Sequence, residues 1–223
     1  MIIGQVRSLS LRADRRALPV RVERAVALAG QGFEGDVHAD PISPRQLLLA
    51  SSSVYELLGL SAHTLRENLL VDVDTASLAS GTILQIGAQA RIRLMFACEA
   101  CGQLDLQRPG LARALGNRRG MLARVVDGGT VVAGDTIVQL DARMPPWLDD
   151  WRARVTAVLD AAPPGSVVEY AQLARLAGIQ SSYCRAFPRF LAKMGPHYAN
   201  RAVAAGSGSK APRWNGSGLF GQP

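Results

Sequence analysis

Two cysteines, Cys98 and Cys101, stand with two residues between them at the end of the alternating run Ala90-Arg-Ile-Arg-Leu-Met-Phe96, and the polar stretch Gly102-Gln-Leu-Asp105 follows at once. Apolar and polar residues alternate there as in a β-strand, so the pattern predicts thiols at a strand end, near the surface. A lone cysteine is ordinarily a small buried apolar residue, but two of the three cysteines here share one CxxC. Three chemistries are open to the pair. Structural zinc needs four Cys or His ligands, and only Cys184, His38, His63 and His197 remain, in no paired spacing. A thioredoxin-like pair opens a helix after a strand, whereas Gly102 follows here. The third chemistry is a single working thiolate, a soft ligand for a heavy metal or a carrier of persulfide. Arg118 and Arg119 are the cations able to stabilise it if the fold brings them near.

Positioning such a thiol falls to a β-rich framework. Short apolar runs at 2–6, 20–26, 46–50, 83–86, 92–96, 121–126 and 136–140 predict strands. Asp127-Gly128-Gly129 predicts a hairpin turn, because glycine accepts positive φ. Helices are expected at 52–58, after a serine N-cap, and at 109–115, with proline near its start and Gly116 near its end. Many short strands and few helices predict a β-barrel-like α+β domain over residues 1–142.

The pattern changes beyond it. Met144-Pro-Pro-Trp147 predicts a linker at 143–147, since consecutive prolines favour an extended path. Residues 148–223 form a second, mainly helical domain. From 147 to 162, Trp147, Leu148, Trp151, Val155, Val158 and Leu159 recur at helical spacing until Pro163-Pro164-Gly165. Helices at 169–176 and 182–194, joined by a tight turn, outline a helix-turn-helix. The stretch 204–211 has a flexible composition, and Trp214 and Phe220 beyond it are expected to tuck back onto the domain.

Composition bounds the partners. A hydrophobic content of 48% with 19% charged residues is globular rather than disordered. The net charge of +7 comes almost wholly from arginine and is uneven. Residues 1–143 hold 16 arginines against 14 carboxylates, while 144–223 hold 9 cations against 4 carboxylates. The second part is therefore the place expected to meet a polyanion. No run reaches the roughly 20 apolar residues that span a bilayer, and no secretory signal opens the chain. With an odd cysteine count, reduced thiols in the cytoplasm are expected, with no membrane partner.

Six segments, in order, resemble the MOSC domain found at the C-terminus of molybdenum cofactor sulfurases and in stand-alone bacterial proteins. They are Gly35-Asp-Val-His38, Arg66-Glu-Asn-Leu69, Gly81-Thr-Ile-Leu-Gln-Ile-Gly87, Cys98-Glu-Ala-Cys101-Gly-Gln-Leu, Arg119-Gly-Met-Leu-Ala-Arg-Val125 and Gly129-Thr-Val-Val-Ala-Gly-Asp135. Cys101 falls on the family's characteristic cysteine, although Ala100 stands where a proline is usual, and Cys98 is an extra thiol resembling one subgroup. The resemblance implies a barrel-like fold whose Cys101 binds molybdenum of a pterin cofactor or carries sulfur as a persulfide, which Cys98 would resolve. It implies cofactor contacts at Asp36, His38, Arg66, Asn68, Arg118 and Arg119, with the arginines toward the cofactor's phosphate. Related proteins reduce N-hydroxylated bases, which implies a small-molecule or nucleobase substrate and a redox partner protein; a pyridoxal phosphate association also exists at family level.

Each neighbour also has a plainer reading from its residue type. Asp36 and His38 close a turn or serve the site. Glu67 and Asn68 cap an element end or serve the site. Arg12, Arg15 and Arg16 are expected on a solvated loop, and Cys184 in packing.

The segment 163–178, Pro-Pro-Gly-Ser-Val-Val-Glu-Tyr170-Ala-Gln-Leu-Ala-Arg-Leu-Ala-Gly, is similar to the winged-helix DNA-binding domain of O6-alkylguanine alkyltransferases and alkyltransferase-like proteins. That likeness implies DNA contacts from Tyr170, Arg185 and Arg201. Tyr198-Ala-Asn-Arg201 occupies the place of the acceptor-cysteine segment, so alkyl transfer is not expected and binding of a damaged base is what remains. Pro188 stands inside the second helix, against an intact recognition helix.

Overall fold

A computed structural model describes residues 1–221. It divides into two compact units, Met1–Pro41 with Arg45–Trp147, and Ile42–Pro44 with the chain from Leu148 onward.

The first unit contains strands β1 (Ile2–Leu11), β2 (Val20–Val22), β3 (Arg24–Leu28), β4 (Gly32–Phe33), β5 (Leu47–Ser51), β6 (Leu69–Val71), β7 (Thr82–Ile86), β8 (Ala90–Ala97), β9 (Met121–Asp127), β10 (Gly129–Val132) and β11 (Thr136–Arg143). Its helices are α1 (Ser52–Leu58) and α2 (Leu111–Leu115). Seven strands close a barrel in the order β11, β7, β8, β9, β5, β6, β1, with β1 pairing back onto β11. Closure pairs both edges of each of these strands. The alternation read in the sequence fills the interior: Ala90, Ile92 and Leu94 of β8 and Met121, Ala123 and Val125 of β9 meet Leu47, Leu49, Leu69 and Ile86. Each fully buried Leu or Ile contributes about 1.5–3 kcal/mol. A smaller apolar cluster joins α1 and α2 to Ala50, Leu65 and Leu104.

All seven predicted runs coincide with strands, with three corrections. The first strand continues to Leu11, and the run 20–26 is two strands, β2 and β3, broken at Glu23. Asp127-Gly128-Gly129 is no hairpin: β9 pairs with β5 and β8, while β10 pairs with β3. Neither Gly128 nor Gly129 has positive φ. Their hydrogens instead allow close approach, since a Cβ on Gly129 would sit 2.9 Å from Ala90 N and one on Gly128 3.0 Å from Ala27 O. Ser51 does hold the N-cap position of α1, but its hydroxyl caps no backbone N–H and pairs with Ser53 Oγ at 2.8 Å. α2 starts at Leu111, past Pro109, where Asp105 Oδ1 accepts the Ala112 N–H at 2.9 Å.

Residues 144–147 are pinned to the barrel. Met144 N donates to Gly81 O at 2.8 Å, Trp147 N to Ser80 Oγ at 2.7 Å, and Arg93 Nη2 to Pro145 O at 2.6 Å. Arg93 faces Arg124 directly across β8 and β9, and both are buried. Burial first, and then the Arg93 charge, pull Arg124 down to about 10, with Asp40 opposing.

The second unit contains α3 (Trp151–Ala161), β12 (Val168–Glu169), α4 (Tyr170–Ala177), a 3-10 turn (Ser181–Arg185), α5 (Phe187–Lys193), α6 (Pro196–Ala199) and β13 (Ala202–Val203), with β12 and β13 parallel. Val155, Val158, Leu159, Leu173, Leu176, Phe187 and Leu191 are buried. α3 begins at Trp151 rather than Trp147, because Asp150 accepts the Arg152 and Ala153 N–H groups as N-cap. The expected helix 182–194 is broken, and Pro188 stands in the first turn of its second piece, where its missing N–H costs nothing. Trp214 N donates to Val167 O at 2.9 Å, which ties the end of the tail to the unit. No described helix is long and apolar enough to cross a membrane.

Candidate functional site

One row of paired residues crosses five neighbouring strands: Ala97 opposes Met121, Met121 opposes Leu49, Leu49 opposes Leu69 and Leu69 opposes Leu9. The predicted site residues flank this row. Cys98 and Cys101 follow Ala97, Arg119 precedes Met121, and Arg66 and Asn68 precede Leu69.

The two thiols have different surroundings. Cys98 is buried, and its N–H donates to Gly120 O at 2.8 Å. Cys101 is half-exposed on a turn closed by Leu104 N to Cys101 O at 3.0 Å. Leu104 and Ala100 anchor that turn in the cluster of α1 and α2. All three cysteines are free. Arg119 is 8% exposed and donates through Nη1 to Glu99 O at 2.7 Å and to Cys101 Sγ at 3.3 Å. Gly120 has φ of 136°, and a Cβ there would overlap the Leu49 carbonyl oxygen. Only glycine lets β9 start so close to β5.

Asp36 is a hub rather than only a turn closure. It accepts from Arg12 N at 2.9 Å, His38 N at 2.8 Å, His38 Nδ1 at 3.1 Å and Asn68 Nδ2 at 3.0 Å. Burial pushes its carboxyl up, but the hydrogen bonds from His38 and Arg12 outweigh that and hold it below its ordinary value. Asn68 Oδ1 accepts from Leu48 N at 3.1 Å, so Asn68 joins β5 to the hub. Arg66 adopts φ of 62°, and its Nη2 donates to Ala17 O at 3.2 Å. Glu67, 1% exposed, accepts from Tyr55 OH at 2.6 Å and lies 3.2 Å from His63 Nδ1. His63 also has positive φ, 59°. Left-handed backbone at two non-glycine residues in one short segment is strain that the Glu67 network holds in place.

Arg12 departs from the solvated loop expected for the basic run. Arg15 and Arg16 are exposed, but Arg12 is half-buried with Nη2 2.9 Å from His38 Nε2. Burial, then the charges of Arg66, Arg119 and Arg15, lower its pKa, with Asp36 opposing. These arginines therefore share one neighbourhood. Arg118 takes another direction, donating to Ala114 O at 2.9 Å at the end of α2. Cys184 is half-buried, its Sγ 3.4 Å from Tyr170 O. In the second unit Tyr170 packs on Phe187 with ring centroids 5.8 Å apart, Arg185 is exposed, and Arg201 donates to the carbonyl oxygens of Ala162 and Pro163 at the end of α3.

Two buried guanidinium nitrogens in this neighbourhood, Nε of Arg66 and of Arg119, have no hydrogen-bond partner. A buried unpaired donor is costly. Among the described residues no three His, Cys, Asp or Glu side chains gather as a metal group.

No curated protein matches the sequence. Among solved structures, the chain is similar in fold to the YuaD protein of Bacillus subtilis, at 18% identity and TM-score 0.52 over 60% of this chain and 93% of that one. It is similar to a hypothetical protein at 20% identity and TM-score 0.54, over 82% and 88% of the two chains. YiiM of Geobacillus stearothermophilus matches at 15% identity and TM-score 0.50, over 90% and 94%. At these identities the likeness is one of fold. Residues 43–138 match the MOSC domain family model, a span that includes Arg66, Asn68, Cys101 and Arg119.

Proposed function

We propose that the chain binds a molybdenum-pterin cofactor through the Cys101 thiolate and reduces N-hydroxylated compounds or bases. The observation that carries this is Arg119, whose Nη1 reaches Cys101 Sγ at 3.3 Å while its buried Nε lacks a partner. One residue thereby offers donors to a soft sulfur ligand and to an anionic group beside it. Cys101 would hold the metal, and Arg119, Arg66 and Arg12 the cofactor's phosphate, with Asp36, His38 and Asn68 fixing the segments that present them. Arg118 is left to the end of α2. The bound group would supply two-electron redox chemistry at the metal, and the protein's share is to hold and orient it. The test is metal analysis of protein made in a cofactor-producing host. Molybdenum in the wild type and none in Cys101→Ser is expected; none in the wild type, or equal amounts in both, overturns the reading.

The same thiol supports a second reading, a persulfide carrier, in which the Arg119 N–H groups stabilise an anionic terminal sulfur. Cys98 is too buried to be reached by solvent, so of the CxxC pair Cys101 alone would be labelled by a persulfide-specific reagent. A third reading, DNA binding by the second unit, is favoured by the exposure of Arg185 and the charge excess of residues 144–223. Affinity for DNA would fall steeply with salt and drop in Arg185→Ala; binding that ignores both removes it.

A further inference from the structure

Arg12 enters the site through a relay that the cysteine chemistry does not use. Its own N–H donates to Asp36 Oδ2 at 2.9 Å, and its Nη2 lies 2.9 Å from His38 Nε2. His38 Nδ1 in turn lies 3.1 Å from Asp36 Oδ1. An ionised carboxylate only accepts, so His38 Nδ1 carries the hydrogen and Nε2 keeps the lone pair into which Arg12 donates. The relay therefore requires neutral imidazole. A second proton, on Nε2, would set two donors and two positive charges face to face. The charged groups around this point are Arg12 from the end of β1, Asp36 from the ring's own loop, and beyond Arg12 the guanidiniums of Arg66, Arg119 and Arg15. With Nη2 committed to His38, the guanidinium is fixed in orientation and the rest of its fork is left for the oxygens of an anion, a geometry suited to a phosphate monoester.

We propose that Arg12 is an anion-binding residue of this site and that neutral, Nδ1-protonated His38 is the residue that positions it. This deepens the reading above and rests on its anionic ligand. Without an acceptor at His38 Nε2 the guanidinium is released from this orientation and anion binding weakens.

The experiment titrates inorganic sulfate into the full chain by calorimetry at pH 8. Arg12→Met binds roughly tenfold more weakly, and Arg12→Lys does not recover it, since a single ammonium cannot serve both His38 and the anion. His38→Ala, which removes the acceptor, binds roughly three- to tenfold more weakly, and His38→Gln, which keeps an acceptor at the place of Nε2, recovers part of that loss. Nitrogen NMR of His38 shows the Nδ1–H tautomer. Arg12→Met or His38→Ala within twofold of wild type, His38→Gln no better than His38→Ala, or the Nε2–H tautomer overturns the proposal. Should Arg12→Met not fold, the tautomer and the His38→Gln comparison decide. Failure of the cofactor reading is separate: it appears as absent molybdenum, whereas the sulfate result does not involve Cys101.

Discussion

Arg119 Nη1 donates both to the carbonyl oxygen of Glu99, at 2.7 Å, and to Cys101 Sγ, at 3.3 Å. The carbonyl bond fixes the guanidinium against the turn, and the sulfur contact follows from that geometry. A charged donor at this distance hydrogen-bonds the sulfur directly and orients it on the turn. Arg119→Met is therefore expected to slow alkylation of Cys101 by iodoacetamide at pH 7.5 by roughly three- to tenfold, with Arg119→Lys intermediate. Mass spectrometry of the labelled peptide checks it, with buried Cys98 as the internal unreactive control. Equal rates in all three proteins would show that the sulfur owes nothing to the arginine.

Gly120 sets the distance between Arg119 and β5. Its φ of 136° is a region side chains rarely adopt, and a Cβ would overlap the carbonyl oxygen of Leu49. Gly120→Ala is expected to cost more than about 2 kcal/mol, from backbone strain together with the displaced strand. Urea unfolding followed by fluorescence measures it. Gly116→Ala is the comparison, because its φ of 56° is also positive but nothing lies within 4 Å of the added Cβ. A larger loss at Gly120 than at Gly116 is the expected sign of the close approach.

What was legible in the sequence, and what was not, divides along physical lines. The strand leading to Cys98 is legible because Ala90, Ile92 and Leu94 stand two apart and enter the core, even though its pairing with β9 shifts register between Arg91 and Ile92 and between Leu94 and Ala97. Arg12 was hidden because β1 is irregular: its pairing with β6 shifts register between Val6 and Ser8, so the core residues Val6 and Leu9 stand three apart and break the period of two. The strand is thus read as ending at Val6, which leaves Arg12 on a loop. Asp127-Gly128-Gly129 misled for a related reason, since glycine serves both positive φ and close backbone approach, and one sequence does not say which. Pro188, expected inside one helix, instead marks the start of another.

Asp36 gives the site a dependence on acid. Burial raises its carboxyl, but the hydrogen bonds from His38 and the Arg12 N–H leave it below 3.8. A carboxylate whose folded pKa is depressed stabilises the fold above its unfolded value, and that contribution is lost as pH falls through the folded value. Asp36→Asn is therefore expected to be less stable than wild type at pH 7 and pH 5, with the gap closing below about pH 4. Urea midpoints at these pH values measure it. A gap that stays constant down to pH 3 would assign the loss to packing instead of charge.

Tyr55 and Glu67 allow a sharper separation of hydrogen bonding from charge. The Tyr55 hydroxyl donates to Glu67 Oε2 at 2.6 Å and accepts from Leu65 N at 3.0 Å. Burial first, and then the Glu67 charge, push the phenol far above its usual range, so it remains a donor at any working pH. Tyr55→Phe removes both bonds and leaves a buried carboxylate short of a donor, which costs about 1–3 kcal/mol. Glu67→Gln behaves differently. Its amide oxygen still accepts from Tyr55, and its NH2 donates to His63 Nδ1 once that ring moves its hydrogen to Nε2. Glu67→Gln is thus expected to cost less than Tyr55→Phe, and the double variant less than their sum, because the two residues act as one network. Thermal unfolding of the four proteins tests this, with nitrogen NMR of His63 to read the tautomer. If Glu67→Gln costs more than Tyr55→Phe, or the two effects simply add, the negative charge of Glu67 rather than its hydrogen bonds holds the strained segment that carries Arg66.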